Sequence, residues 1–90
     1  MALKVQIPTP MREQAGGKAE VEVAGGTVQA ALDDLVRQYP GLTAKLFDNG
    51  RLRPYVNVFV NDEDIRYLDN LSTAVKDGDE LSIIPAVAGG

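Results

Sequence analysis

Two stretches near the start of the chain alternate apolar and polar residues, which is the pattern of half-buried strands. The first stretch, residues 3–7, places leucine, valine and isoleucine at every second position, and the second, residues 20–23, alternates valine with glutamate. Prolines at positions 8 and 10 end the first stretch, because proline cannot donate a hydrogen bond to a neighbouring strand. A loop containing Gly16 and Gly17 joins the two, so they are predicted to form a hairpin with a long loop.

The spacing of apolar residues changes after Gly25 and Gly26. Thr27 is the expected N-cap of a helix, and Pro40 followed by Gly41 is expected to end it. Between them, the apolar residues fall on one face of an α-helix. They are Val28, Ala31, Leu32, Leu35, Val36 and Tyr39.

The second half of the chain predicts shorter elements and one clear strand. Residues 42–47 are expected to form a helical turn that ends near Asn49-Gly50. Residues 56–60 alternate valine with Asn57 and Phe59, a strong strand signal. Residues 61–64 are predicted to turn the chain, and residues 65–67 are predicted to form a short returning strand.

The last predicted strand is Glu80 to Pro85. It follows a tight turn at Asp77-Gly78-Asp79, whose carboxylates are expected to accept hydrogen bonds from backbone donors. Leu81 and Ile83 point to the core in this prediction. Alternation then places Ser82 and Ile84 on the outer face.

The order of these elements predicts an α+β fold. The last strand is expected to insert beside the first, in parallel, giving a mixed four- to five-stranded sheet with one main helix packed on one face. This is the β-grasp architecture of ubiquitin-like proteins. We expect one β-grasp domain over residues 1–85 and a flexible C-terminal tail over residues 86–90 that ends in Gly-Gly.

The composition excludes several classes of function. The 90 residues include no cysteine and no histidine, so thiolate nucleophiles, imidazole acid–base catalysis and zinc sites built on those residues are excluded. The net charge of −4 argues against a nucleic-acid partner. No apolar run approaches the roughly 20 residues of a membrane span, so no membrane association is expected and the expected location is cytoplasmic.

The tail carries the most exposed chemical group that the sequence predicts. Val87, Ala88, Gly89 and Gly90 end the sequence, and the two glycines leave the last carboxylate uncrowded. Five residues beyond Pro85 span at most roughly 17 Å when extended, which is enough to enter the cleft of another enzyme. A carboxylate is a poor electrophile until it is activated, and the chain lacks the spacing of a phosphate-binding loop. Activation with ATP is therefore expected to occur on a partner.

Two further features are candidates for function. Phe59, Ile84 and Tyr55 are expected to form an exposed apolar patch beside the tail, and such patches often mark docking surfaces. The acidic run Asp62-Glu63-Asp64 lacks the spacing of a calcium-binding loop, so it is expected to be a solvated turn without a metal.

The chain resembles the MoaD/ThiS-type sulfur carriers, a ubiquitin-like family. The run from Asp77 to Gly90 looks like the ending of these proteins, and the run from Val56 to Asp64 is similar to their central strand and turn. Pro85-Ala86, together with residues 61–66, looks closest to the CysO-type carriers.

This resemblance implies a mechanism. An E1-like enzyme would adenylate Gly90 with ATP and Mg²⁺, and a sulfur donor would convert the adenylate to a thiocarboxylate. Gly89 and Ala88, with Val87 and Ala86, would thread the partner's active site. The protein would bind no cofactor and would act as a co-substrate, not as an enzyme. Its sulfur would go to a PLP-dependent cysteine synthase, and a JAMM-type metalloprotease would trim the product.

Three alternatives stay open at this level. The protein could be the small subunit of molybdopterin synthase, whose tail enters a large subunit. It could be a ubiquitin-like modifier that is joined through Gly90 to lysines of other proteins. It could also be an adaptor with an inert tail, in which case deletion of Gly90 would leave its function intact.

Overall fold

The computed structural model describes residues 2–85, and these residues contain seven strands. The same residues also form two α-helices, α1 (Val28–Gln38) and α2 (Thr43–Leu46), and four short 3₁₀ helices. The strands in chain order are β1 (Ala2–Gln6), β2 (Glu20–Ala24), β3 (Phe47–Asp48), β4 (Arg51–Leu52), β5 (Val56–Val60), β6 (Glu63–Asp64) and β7 (Glu80–Pro85). The 3₁₀ helices are Thr9–Ala15, Pro40–Leu42, Ile65–Tyr67 and Asn70–Ser72.

Five of the strands form one mixed sheet in the order β2-β1-β7-β5-β6. β1 and β2 form the predicted antiparallel hairpin, in which Val5 lies opposite Val21. β7 is inserted beside β1 in parallel, with Leu81 opposite Val5, as predicted. On its other side β7 runs antiparallel to β5, with Ile83 opposite Val58. The last strand of the described residues is therefore the central strand of the sheet.

Helix α1 covers one face of this sheet, and the predicted apolar face is the buried one. Thr27 is the N-cap, and its hydroxyl accepts a hydrogen bond from Ala30 N–H at 3.1 Å. The buried residues of α1 pack into a single core with the inward residues of β1, β2, β5 and β7. Those of α1 are Val28, Ala31, Leu32 and Leu35. The fold is thus the predicted α+β arrangement of a five-stranded sheet and one main helix.

The predicted returning strand at residues 65–67 is wrong. Glu63–Asp64 form the returning strand β6, and Ile65–Tyr67 form a 3₁₀ helix. The Asp64 side chain caps this helix by accepting a hydrogen bond from Arg66 N–H at 2.9 Å. Only Ile65 of these three residues is buried, so the segment has no alternating face to place on a sheet.

Two connections contain more structure than the sequence predicted. The long loop of the first hairpin contains the 3₁₀ helix Thr9–Ala15, which buries Met11 and Ala15. Asn49 and Gly50 both have positive φ values and form the turn of a two-stranded hairpin between β3 and β4. No helix within residues 2–85 has the length and apolar character needed to cross a bilayer.

Candidate functional site

The described part of the chain ends with the central strand of the sheet. Pro85, the last described residue, lies opposite Val56 in the register of β7 and β5. The tail predicted to carry the chemistry begins at the next residue. Its members lie outside the described residues, and their roles stay predictions. They are Ala86, Val87, Ala88, Gly89 and Gly90.

The predicted docking patch lies on the face of the sheet opposite α1, near Pro85. Phe59 is directly opposite Ser82, and Ile84 is two residues further along β7 on the same face. Side chains on this diagonal are about 7–8 Å apart, within reach of an aromatic ring. Ile84 is 49% exposed and Phe59 is partly buried. The structure therefore brings Phe59 and Ile84 together beside the last described residue.

Tyr55 lies at the margin of this patch. It is the turn residue immediately before β5 and is 43% exposed. We refer to Tyr55, Phe59 and Ile84 as the outer patch. Its role in docking stays a prediction.

Polar and charged residues border the outer patch on the β1–β2 side of the same face. Lys4 Nζ lies 3.9 Å from Glu20 Oε1. Gln6 Nε2 donates hydrogen bonds to the carboxylates of Glu20 at 2.6 Å and Glu80 at 3.3 Å. The open face of the sheet is thus divided into an apolar part near the end of β7 and a polar part near its start.

A hydrogen-bonded pair of side chains holds the other end of β7 against β5. Asp79 Oδ1 accepts a hydrogen bond from Asn61 Nδ2 at 3.0 Å, and Asp79 Oδ2 accepts one from Lys76 N–H at 2.9 Å. Asn61 Oδ1 in turn accepts from Glu80 N–H at 3.0 Å. The Asn61 amide and the Lys76 N–H hold the pKa of Asp79 below its usual value. The Asp79 carboxylate thus accepts a hydrogen bond from a backbone N–H, as predicted. Its bond to Asn61 also links the start of β7 to the end of β5.

Asp64 is buried, and the expectation of a fully solvated acidic turn is wrong at this position. The Arg66 guanidinium and backbone N–H bind its carboxylate, with Nη2 to Oδ2 at 2.7 Å, and lower the pKa of Asp64. Asp62 and Glu63 are exposed, as expected. Among residues 2–85 no group of three or more acidic side chains is placed to hold a metal ion.

Sequence reasoning missed two exposed apolar residues, Tyr67 and Leu68. Tyr67 is 86% exposed and Leu68 is 36% exposed. Tyr67 is the last residue of the 3₁₀ helix Ile65–Tyr67, and Leu68 follows it. Isolated apolar residues in a loop have no periodicity, so the sequence contained no signal that separated them from core residues.

Comparison with known proteins agrees with the fold. The ThiS family matches residues 5–90, which includes the tail. The chain is 44% identical over 93 aligned residues to the sulfur carrier protein CysO of Mycobacterium tuberculosis (strain ATCC 25618 / H37Rv), with all of both chains covered.

A second relative and a chain of a solved structure are also similar to this protein. Small archaeal modifier protein 3 of Haloferax volcanii is 37% identical over 93 aligned residues, again with both chains covered in full. A chain in the crystal structure of the Amycolatopsis orientalis BexX/CysO complex matches with a TM-score of 0.91 and 45% identity, covering 98% of this chain and 99% of that one. On the family match and these full-length identities, the chain belongs to the ThiS family of ubiquitin-like β-grasp proteins.

Proposed function

We propose that this protein is a sulfur carrier that holds sulfur as a thiocarboxylate on Gly90. The observation that carries the proposal is the full-length identity of 44% to a sulfur carrier protein, CysO. The family match extends to residue 90, so it includes the two glycines. The body of the protein would serve for recognition and the terminus would supply the reacting group.

Activation requires a partner in this proposal. The Gly90 carboxylate oxygen attacks the α-phosphate of ATP on an E1-like enzyme that supplies Mg²⁺, and pyrophosphate leaves. Sulfide from the sulfur donor then attacks the acyl carbon, AMP leaves with one of the former carboxylate oxygens, and the thiocarboxylate remains on Gly90. Mg²⁺ bound to the nucleotide on the partner stabilises the negative charge that develops in the first step.

The acceptor in this proposal is an activated serine on a PLP-dependent cysteine synthase. A JAMM-type metalloprotease then releases the cysteine from the carrier. The similarity to CysO supports this acceptor over the large subunit of molybdopterin synthase. The relative that crystallised as a BexX/CysO complex supports the general idea that such carriers act in association with other proteins.

A second candidate function is protein modification through Gly90. The observation that favours it is the 37% identity to a small archaeal modifier protein over the full length of both chains. Both functions begin with activation of the same carboxylate. They differ in the nucleophile, which is sulfur in the first case and a lysine amine in the second.

Intact-mass analysis of the protein from its native cells tests the first function. We expect a species heavier than the unmodified chain by the difference between one sulfur and one oxygen atom. The same measurement shows whether Gly90 is the last residue of the mature protein. A variant that lacks Gly90 is the matched control, and the heavier species should be absent from it.

Two results would count against the carrier proposal. One is the absence of the heavier species after incubation with the activating enzyme, ATP and a sulfur source. The other is normal sulfur transfer by the variant without Gly90. Covalent conjugates of an N-terminally tagged protein, with Gly90 joined to lysines, would instead support protein modification.

A further inference from the structure

A pocket of about 360 Å³ lies between the β3–β4 hairpin and the two 3₁₀ helices that begin at Ile65 and Asn70. Small-molecule sites in proteins occupy clefts of about 300–1,000 Å³ with mainly apolar walls and a few polar groups. The sulfur chemistry proposed for Gly90 uses none of the residues that line this pocket. They are residues 50–54, 56–58, 64–66 and 70–71.

The pocket has an apolar wall. Ile65 is a buried core residue, and Leu52 and Leu71 are partly buried and pack against the same core. All three residues line the pocket. An apolar group placed against them would be removed from water together with part of their surface, which favours binding.

The pocket is also basic, although the chain carries a net charge of −4. Arg51, Arg53 and Arg66 line it, together with Asp64. Asp64 is engaged by Arg66, with Nη2 2.7 Å from Oδ2. Within residues 2–85 neither Arg51 nor Arg53 forms an ion pair. The pocket thus offers two guanidinium groups to an anion.

Backbone carbonyls of α2 hold Arg53 in place. Its N–H donates to the Leu46 carbonyl at 2.8 Å, and its Nε donates to the Ala44 carbonyl at 2.8 Å. Because the second contact uses Nε, a carboxylate can still bind the two terminal nitrogens of the guanidinium. Arg51 is exposed. Asp48 lies opposite Arg51 in the register of the hairpin, but their side chains are not within ion-pair distance.

We propose that this pocket binds a small carboxylate with an apolar body, such as a short fatty acid. Its carboxylate accepts charge-assisted hydrogen bonds from Arg51 and Arg53. Its apolar body lies against Leu52, Ile65 and Leu71. This interaction needs no chemistry at Gly90 and is separate from sulfur transfer.

Octanoate is a suitable probe for NMR titration of the full-length protein. We expect saturable shift changes at residues 51–53, 65–66 and 70–71, with a dissociation constant below about 1 mM. Octanol has the apolar chain without the charge, and acetate has the charge without the chain. Each should bind at least about tenfold more weakly than octanoate, because each makes only one of the two kinds of contact.

A charge reversal locates the carboxylate. Arg51→Glu should weaken octanoate binding at least about tenfold. Lys18→Glu is the matched control, because it changes the net charge equally but lies at an exposed position in the first hairpin loop. It should bind octanoate as the original protein does.

Several outcomes would overturn the proposal. Equal binding of octanol and octanoate would mean that the arginines do not contribute. Unchanged binding by Arg51→Glu, or shift changes centred on the outer patch, would place the ligand elsewhere. Absence of saturable binding at millimolar octanoate would also contradict it. Because the thiocarboxylate is detected by mass, failure here and failure of the carrier proposal are distinguishable.

Discussion

At the scale of single residues, Gly25 and Gly26 are adjacent but have very different surroundings. A Cβ added to Gly25 would lie 2.6 Å from Ala31 N and 2.9 Å from the Ala30 carbonyl carbon, both in the backbone of α1. A Cβ added to Gly26 would have no atom within 4 Å. The glycine at position 25 therefore lets the end of β2 lie directly against the first turns of the helix.

We predict that Gly25→Ala lowers the free energy of unfolding by about 1–3 kcal/mol, because the helix backbone must shift to admit the methyl group. Gly26→Ala is the matched control and should change it by less than about 0.5 kcal/mol. Urea denaturation of both variants measures the difference. Equal values would contradict the close approach of Gly25 to α1.

Asp79 is predicted to make the stability of the protein depend on pH. Asn61 and the Lys76 N–H lower its pKa in the folded state, so at acidic pH the unfolded chain binds more protons than the folded one. The stabilisation is complete above the unfolded pKa of about 4 and is lost as the pH falls through the lower folded value. Stability should therefore decrease on acidification.

Asp79→Asn, which cannot titrate, should lose less unfolding free energy than the original protein between neutral pH and about pH 3. Denaturation at both pH values tests this. Glu13→Gln removes an exposed carboxylate from the 3₁₀ helix Thr9–Ala15 and should keep the original pH dependence. If Asp79→Asn kept it too, Asp79 would not be one of the titrating groups.

At the scale of elements, the cap of α1 should contribute measurably to stability. Thr27 Oγ1 accepts from Ala30 N–H, and removal of such a cap costs about 1 kcal/mol. We expect that loss for Thr27→Ala in thermal or urea unfolding. Thr43→Ala, at the exposed start of α2 where no side-chain cap bond is present, should be within about 0.5 kcal/mol of the original.

The outer patch, which β5 and β7 form together, carries a prediction for partner recognition. Ile84→Glu should lower the rate constant kcat/KM of activation by the E1-like enzyme at least about tenfold, because a charge would be buried on docking. Tyr67→Glu introduces the same charge at a more exposed site away from β7. It should leave activation unchanged. If both variants were activated equally, the outer patch would not be part of the docking surface.

Periodicity explains why some elements could be predicted and others could not. Strands β1, β2, β5 and β7 alternate buried aliphatic residues with more exposed ones, and α1 repeats its apolar face over three turns, so burial itself produces the signal. The 3₁₀ helix at Ile65–Tyr67 is too short to repeat. This helix depends on the hydrogen bonds between Asp64 and Arg66. The sequence did not indicate those bonds, because the acidic run at residues 62–64 predicts a solvated turn.

Some features of the candidate site could be predicted from periodicity, and others could not. Alternation along β7 was enough to predict that Ile84 lies outside and Ile83 inside, and the register confirms both. The pocket between the β3–β4 hairpin and the end of β6, which Arg51 and Arg66 both line, could not be predicted. No local pattern in the sequence specifies that approach of distant segments.

At the scale of the whole molecule, we predict that the folded body does not depend on the tail. Removal of residues 86–90 should change the free energy of unfolding by less than about 0.5 kcal/mol, because the core in residues 2–85 ends at Ile83. Removal of residues 83–90 deletes that buried side chain and the pairing of β7 with Val56–Val58. It should cost at least about 2 kcal/mol.

Chemical denaturation of the two truncated chains tests this prediction. A large loss on removal of 86–90 alone would mean that the tail is part of the folded unit. The domain would then not end at residue 85, and a tail that must also enter a partner would have to detach from the body first.

The central position of β7 has a mechanical consequence. Tension applied to the chain beyond Pro85 acts along a strand that is bonded to β1 on one side and to β5 on the other. Such a load shears two ladders at once, and hydrogen bonds in shear share the force rather than opening one after another. A motor protein that pulls on the C-terminus would therefore meet its greatest resistance at β7, the first strand it reaches.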